Sequence, residues 1–132
     1  MRYFVETSVI VDYLRGRVAS ANIINNLKGE ITSSYVCLSE LYEGIYRSRQ
    51  KSKDEEAVGY FFAGLSEIFG VDEEIAKKFG ETRAGLKKAG KIIEDMDIFV
   101  AATCLAYGLI LVTRNYKHFS VVEGLEIVTI PS

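Results

Sequence analysis

Two runs of consecutive apolar residues, at positions 3–5 and 109–112, constrain the fold of this chain more than any other feature. A strand with one solvated face would alternate apolar and polar residues, so these runs predict strands that are covered on both faces. Segments with helical spacing separate the predicted strands, and strands that alternate with helices favour parallel pairing. The sequence therefore predicts an α/β fold, a three-layer αβα sandwich with a mostly parallel central sheet.

Periodicity and end signals divide the chain into five strands and six helices. The predicted strands occupy residues 3–5, 30–36, 67–71, 109–113 and 125–130. The predicted helices occupy residues 9–15, 19–28, 38–48 and 54–63, a segment that Asp72 caps and Gly90 ends, and residues 95–107. Thr7 or Ser8 is expected to cap the first helix, because a short side chain with an oxygen atom accepts from free backbone N–H groups.

The composition is that of a single soluble domain spanning residues 1–132, with 48% apolar and 26% charged residues. No run of about eighteen apolar residues occurs, so no membrane span is expected. Cys37 and Cys104 lack the spacing of a zinc site or a disulfide framework, which favours reduced thiols and a cytoplasmic location. The formal charge of −2 lacks the basic surplus of most nucleic-acid-binding domains, so a divalent metal or a local basic patch would have to offset it.

Three acidic residues and one amide fall where strands end or where the following helices begin. Glu6 and Asn115 follow the first and fourth strands, and Glu40 and Asp97 are placed in the first turns of their helices. Taken singly, an acid in a first turn is explained by a favourable interaction with the helix dipole. In open α/β sheets, however, ligands bind beyond the carboxyl ends of the strands, where these side chains would meet. Converging carboxylates repel unless a cation is bound, and all-oxygen ligands favour Mg²⁺ or Mn²⁺ over zinc.

Four segments resemble, in order, the sequence blocks of PIN domains of the VapC toxin type. The first two are residues 4–16 (FVETSVIVDYLRG), which contain Glu6, and residues 38–44 (LSELYEG), which contain Glu40. The other two are residues 95–102 (DMDIFVAA) and residues 109–119 (LILVTRNYKHF). No single block is diagnostic, but the ordered set spans nearly the whole chain.

This resemblance implies a PIN-like fold, an endoribonuclease that depends on Mg²⁺ or Mn²⁺, a homodimer, and a small VapB-like antitoxin as partner. The expected reaction is attack of metal-activated water on an RNA phosphodiester. The resemblance assigns metal ligation to three carboxylates, those of Glu6, Glu40 and Asp97. The neighbouring acids Glu94 and Asp95 are the alternatives to Asp97, with Asp95 as a supporting candidate. The resemblance further implies that Asn115 holds a ligating water and that Thr7 or Thr113 orients neighbouring carboxylates.

Glu6 departs from the family pattern, which usually has aspartate at this position. Its carboxylate stands one methylene further from the backbone, and Mg²⁺ requires ligand distances of about 2.0–2.1 Å. A misplacement of about 1 Å can lower a rate on the order of 10²-fold. The sequence leaves open a working variant, a weakened toxin, and a catalytically impaired PIN module that acts only by RNA or protein binding.

Other residues have plainer interpretations. His118 is expected at the surface or in a cap, and Asp12 is expected to cap or to pair locally, with Arg15 as one candidate partner. The basic run at residues 47–53 indicates a solvated helix end, and the aromatic run at residues 60–62 indicates core or a dimer interface.

Two other α/β classes are excluded. A phosphoacceptor receiver domain requires a lysine at the end of its last strand, and residues 125–131 contain none. A Rossmann or P-loop nucleotide-binding protein requires a glycine-rich turn after a strand, which this chain also lacks.

Overall fold

The computed structural model describes residues 1–131 and contains every predicted element, with shifted ends. The strands are β1 (Arg2–Val5), β2 (Glu30–Ser34), β3 (Glu67–Phe69), β4 (Ile110–Thr113) and β5 (Ile127–Thr129). The helices are α1 (Thr7–Leu14), α2 (Val18–Asn26), α3 (Tyr35–Tyr46), α4 (Lys51–Ala63), α5 (Glu73–Lys88), α6 (Asp95–Tyr107) and α7 (Tyr116–Phe119). Within this described part, no helix is long and apolar enough to cross a bilayer.

The five strands form one sheet in the order β3-β2-β1-β4-β5. Each neighbouring pair is parallel, so the sheet is parallel throughout rather than mostly parallel. In the centre, Phe4 of β1 lies opposite Thr32 of β2 and Leu111 of β4. The carboxyl end of β1 is therefore flanked by the carboxyl ends of β2 and β4.

The central strands supply side chains to two separate cores, which explains why their sequences do not alternate. Phe4 and Leu111 belong to a cluster that contains residues of α5 and α6. Tyr3, Val5 and Val112 belong to a second cluster that is built with residues of α1, α2, α3 and α4. Successive side chains of a strand point to opposite faces, and here both faces are covered. The predicted three-layer αβα sandwich is confirmed.

The start of α1 differs from its prediction. Glu6, and not Thr7 or Ser8, is the cap: its backbone is extended, and its side chain accepts the Ser8 N–H. Both predicted caps lie inside the helix, which begins at Thr7. The Glu6 side chain thereby satisfies one of the backbone N–H groups that lack an intrahelical partner at the start of the helix.

The start of α3 also differs, because Ser34 caps it by accepting the Cys37 N–H. The helix consequently begins at Tyr35 and not at residue 38, and β2 ends at Ser34. Because of this earlier start, Glu40 lies in the second turn of the helix and not in the first. The short α7 was not predicted, since four residues are too few to show helical periodicity.

Asp12 pairs locally, as predicted, but with Arg17 instead of Arg15, and it has a second, distant partner. Its carboxylate lies against Arg17 and Arg114 rather than Arg15. Arg15 is the exposed C-cap of α1, whereas Arg17 follows the turn at Gly16 and Arg114 follows β4. Asp12 is buried, so the approach of these two segments, and not the helical spacing, decides which cations reach it.

The aromatic run in α4 is only partly core. Phe62 is buried in the second cluster, and Phe61 packs on Tyr13 with ring centroids 5.5 Å apart. Tyr60 is 85% exposed. The two phenylalanines therefore join α4 to α1, whereas the tyrosine points to solvent.

Candidate active site

The carboxyl edge of the sheet gathers the predicted site residues. Glu6 follows β1 directly, and Asn115 lies just beyond the end of β4. Glu40 lies on α3, which continues directly from β2, and Asp97 lies in the first turn of α6. This arrangement matches the expectation that sites form beyond the carboxyl ends of parallel strands.

Glu6 is the most enclosed of these side chains, with 5% of its surface exposed. Its Oε2 accepts the Ser8 N–H at 3.1 Å, and its Oε1 accepts hydrogen bonds from the hydroxyls of Ser8 and Thr113, the latter at 2.6 Å. A carboxylate has about four acceptor positions, so three donors leave one of them free. The buried charge is thus compensated by oriented donors, and one position stays available for a further ligand.

Glu40 is half-buried, and its Oε1 accepts the Thr7 hydroxyl at 2.7 Å. Burial is the main reason that the pKa of Glu40 is raised above its ordinary value. The hydrogen bond from Thr7 opposes this rise in pKa, whereas the negative charges of Glu6 and Asp97 add to it. The ionised form of Glu40 is therefore disfavoured both by burial and by the charges of these two acids.

Asp97 is also half-buried, and its Oδ2 lies 3.7 Å from Nδ1 of His118. Burial raises the pKa of Asp97, the charge of Glu6 raises it further, and the charge of His118 opposes the rise. His118 is exposed, as the sequence predicted, but its ring also reaches a site carboxylate. The undetected α7 is the reason that this contact was missed.

The chemistry of these three carboxylates fits a hard divalent cation. They offer oxygen atoms only, and the charge of Glu6 raises the pKa values of both Glu40 and Asp97, a repulsion that a cation would relieve. Within residues 1–131, however, no three His, Cys, Asp or Glu side chains already stand in an arrangement that holds a metal ion. Hydroxyl groups orient two of these carboxylates, Glu40 and Glu6. The oxygen donors fit the metal, and its ligation by all three carboxylates stays a prediction.

The hydroxyls of Thr7 and Thr113 contact site carboxylates, as the resemblance implied. Thr113 Oγ1 also accepts the Asn115 N–H at 2.9 Å, which ties Asn115 to the group that holds Glu6. Sequence reasoning missed Ser8, whose only signal was its position two residues after a carboxylate at a helix start. Ser8 Oγ additionally accepts the Arg114 N–H at 3.2 Å.

The arrangement of acids and hydroxyls beyond the central strands agrees with a comparison of the whole sequence against protein families. The model of the PIN domain matches residues 3–125. The chain belongs to the PIN domain family. The predicted family is thereby confirmed over nearly the full sequence.

Individual relatives of this PIN domain extend the comparison. The chain is 35% identical to Ribonuclease VapC1 of Methanocaldococcus jannaschii over 118 residues, 89% of this chain and 79% of the relative. It is 29% identical to Ribonuclease VapC2 of Haemophilus influenzae over 126 residues, 95% of each chain. In structure it is similar to a chain of VapBC2 from Rickettsia felis, which was solved bound to a DNA fragment from the promoter. That likeness has a TM-score of 0.92 and 26% identity and covers 99% of this chain and 100% of the other.

Proposed function

We propose that this PIN domain is a metal-dependent endoribonuclease of the VapC toxin type that hydrolyses RNA phosphodiester bonds. The observation that carries the proposal is Glu6, a buried carboxylate that three oriented donors hold and whose charge raises the pKa values of Glu40 and Asp97. The relatives named as VapC ribonucleases support the activity.

The proposed metal is Mg²⁺ or Mn²⁺, held by Glu6, Glu40 and Asp97. When bound, it would lower the pKa of a water molecule and neutralise charge that develops on the phosphate. Ser8, Thr7 and Thr113 act on the carboxylates: their hydroxyls orient Glu6 and Glu40 before any ligand arrives. Asn115 is the proposed holder of a metal-bound water.

Glu6 retains a role in this proposal despite its extra methylene. Its side chain folds back over the first turn of α1 to reach Ser8, and Thr113 of β4 also holds it. We propose that this fold-back leaves an active enzyme whose rate is below that of the aspartate form. A catalytically impaired module is the alternative that the assay below distinguishes.

The proposed partners are RNA as substrate, a VapB-like antitoxin, and a second copy of the chain in a homodimer. The structural similarity to a VapBC chain supports the antitoxin. The proposed location is the cytoplasm. The RNA substrate is present there, and the reducing environment would keep the free thiols of Cys37 and Cys104 reduced.

The test is RNA cleavage by purified protein with Mn²⁺, with Mg²⁺, and with a chelator. We expect cleavage with either metal, none with the chelator, and loss of cleavage in Glu40→Gln and Asp97→Asn. Glu43→Gln and Asp95→Asn are matched controls on the same helices, because those acids pair with Arg47 and Arg83 at more exposed positions. If the wild-type protein binds RNA but does not cleave it, the enzyme proposal is contradicted and the catalytically impaired binding module is favoured.

A further inference from the structure

An ion pair between a buried carboxylate and a partly exposed arginine joins α1 to the turn that follows β4. Asp12 is 5% exposed, its Oδ2 lies 2.7 Å from Nη1 of Arg114, and its Oδ1 lies 3.5 Å from Nε of Arg17. An ion pair to a buried carboxylate contributes little net stability compared with apolar side chains of similar volume, because the cost of removing the carboxylate from water offsets the attraction between the charges. What such a pair does supply is a defined geometry between the segments that carry it.

The backbone of Arg114 belongs to the hydrogen-bond ring around Glu6. Its N–H donates to Ser8 Oγ, and that hydroxyl donates to Glu6 Oε1. The preceding residue, Thr113, donates to the same oxygen, and the following residue, Asn115, donates its N–H to Thr113 Oγ1. The main chain of Arg114 thus stands inside the site, while its side chain is anchored outside it on Asp12.

We infer that Asp12 and Arg114 are positioning residues, whose ion pair holds the β4–α7 turn against α1. The pair keeps Ser8, Thr113 and Asn115 in place around Glu6. This inference rests on the proposed function, since Glu6 and Asn115 are residues of its proposed site.

Arg17 provides a control for Arg114, because both arginines contact the Asp12 carboxylate. It contacts the same carboxylate, but its N–H donates to the Asp12 carbonyl, so it is held locally at the end of α1. Its side chain is 59% exposed, against 29% for Arg114. Loss of Arg17 removes one cation from Asp12 without releasing the β4–α7 turn.

The test compares Arg114→Met with Arg17→Met in the metal-free protein, through amide hydrogen exchange at positions 114 and 115. Loss of a charge-assisted contact should speed exchange of these two amides by about tenfold in the first variant and leave it unchanged in the second. With Mn²⁺ and RNA, kcat should fall roughly 10- to 100-fold in Arg114→Met with little change in KM, because the groups are displaced and not removed.

Unchanged exchange in Arg114→Met, or equal acceleration in both variants, would overturn the inference. If Arg114→Met does not fold, Asp12→Asn takes its place, because it removes the charge but keeps the shape of the side chain. Faster exchange of amides 114 and 115 in this variant would support the inference, and unchanged exchange would overturn it. The exchange rates do not depend on catalysis. A wild-type protein without RNase activity would therefore contradict the proposed function while the exchange experiment still decides whether the ion pair positions the turn.

Discussion

The hydroxyl of Thr113 donates to Glu6 Oε1 over 2.6 Å, although 107 positions separate the two residues in the sequence. The same hydroxyl accepts the Asn115 N–H, so one buried side chain orders a proposed metal ligand and a proposed water-holding residue together. Parallel pairing of β1 with β4, which places Val5 opposite Val112, brings the two residues together.

Thr113→Val should destabilise the protein by about 1–3 kcal/mol, because the buried carboxylate loses a donor and the Asn115 N–H loses an acceptor. Denaturant unfolding measures the change in the free energy of unfolding. Thr103→Val is the matched control: Thr103 is also buried, but its hydroxyl only returns to the Phe99 carbonyl within α6. Equal effects of the two substitutions would show that the Thr113 contact has no special weight.

Millimolar Mn²⁺ or Mg²⁺ should raise the melting temperature, because a ligand that binds only the native state stabilises it. At about 100 times the dissociation constant, the gain in the free energy of unfolding is roughly 2.7 kcal/mol. Thermal melts with and without a chelator provide the measurement. A melting temperature that neither ion changes would contradict the proposed metal site.

Glu40→Gln and Asp97→Asn should each raise the melting temperature of the metal-free protein and reduce its response to metal. Burial and the charge of Glu6 raise the pKa values of both carboxyls, so their ionised forms are disfavoured in the folded state. Glutamine keeps an oxygen that accepts the Thr7 hydroxyl, which isolates the effect of charge. If both variants respond to metal as the wild type does, the metal site lies elsewhere.

Glu6→Asp should increase RNase activity roughly 10- to 100-fold if the extra methylene displaces the proposed ligand by about 1 Å. Initial rates of cleavage on short and structured RNAs with Mn²⁺ provide the comparison. The variant should also be harder to express without the proposed antitoxin. A neutral or lower rate would mean that the fold-back of Glu6 already places its carboxylate correctly.

Much of the fold was predictable from local sequence. The strands in the two apolar runs and the exact span of α6 follow from patterns within a few consecutive residues. The ends were less predictable: Ser34 both ends β2 and caps α3, and the cap depends on a contact with Cys37 that propensity does not encode. That single cap moved Glu40 by one turn.

The sequence by itself determined the class of fold, the PIN domain family and the candidate carboxylates, because apolar runs, helical spacing and ordered motifs are properties of neighbouring residues. The resemblance already implied Thr7 and Thr113 as orienting residues, whereas the tertiary structure added Ser8 and decided which carboxylate each hydroxyl contacts. Thr113 reaches Glu6, and Arg114 reaches Asp12 in place of the nearer Arg15, because β4 pairs with β1 and carries its following turn onto α1. Contacts of this kind depend on strand order and register, which emerge only when distant segments pack together.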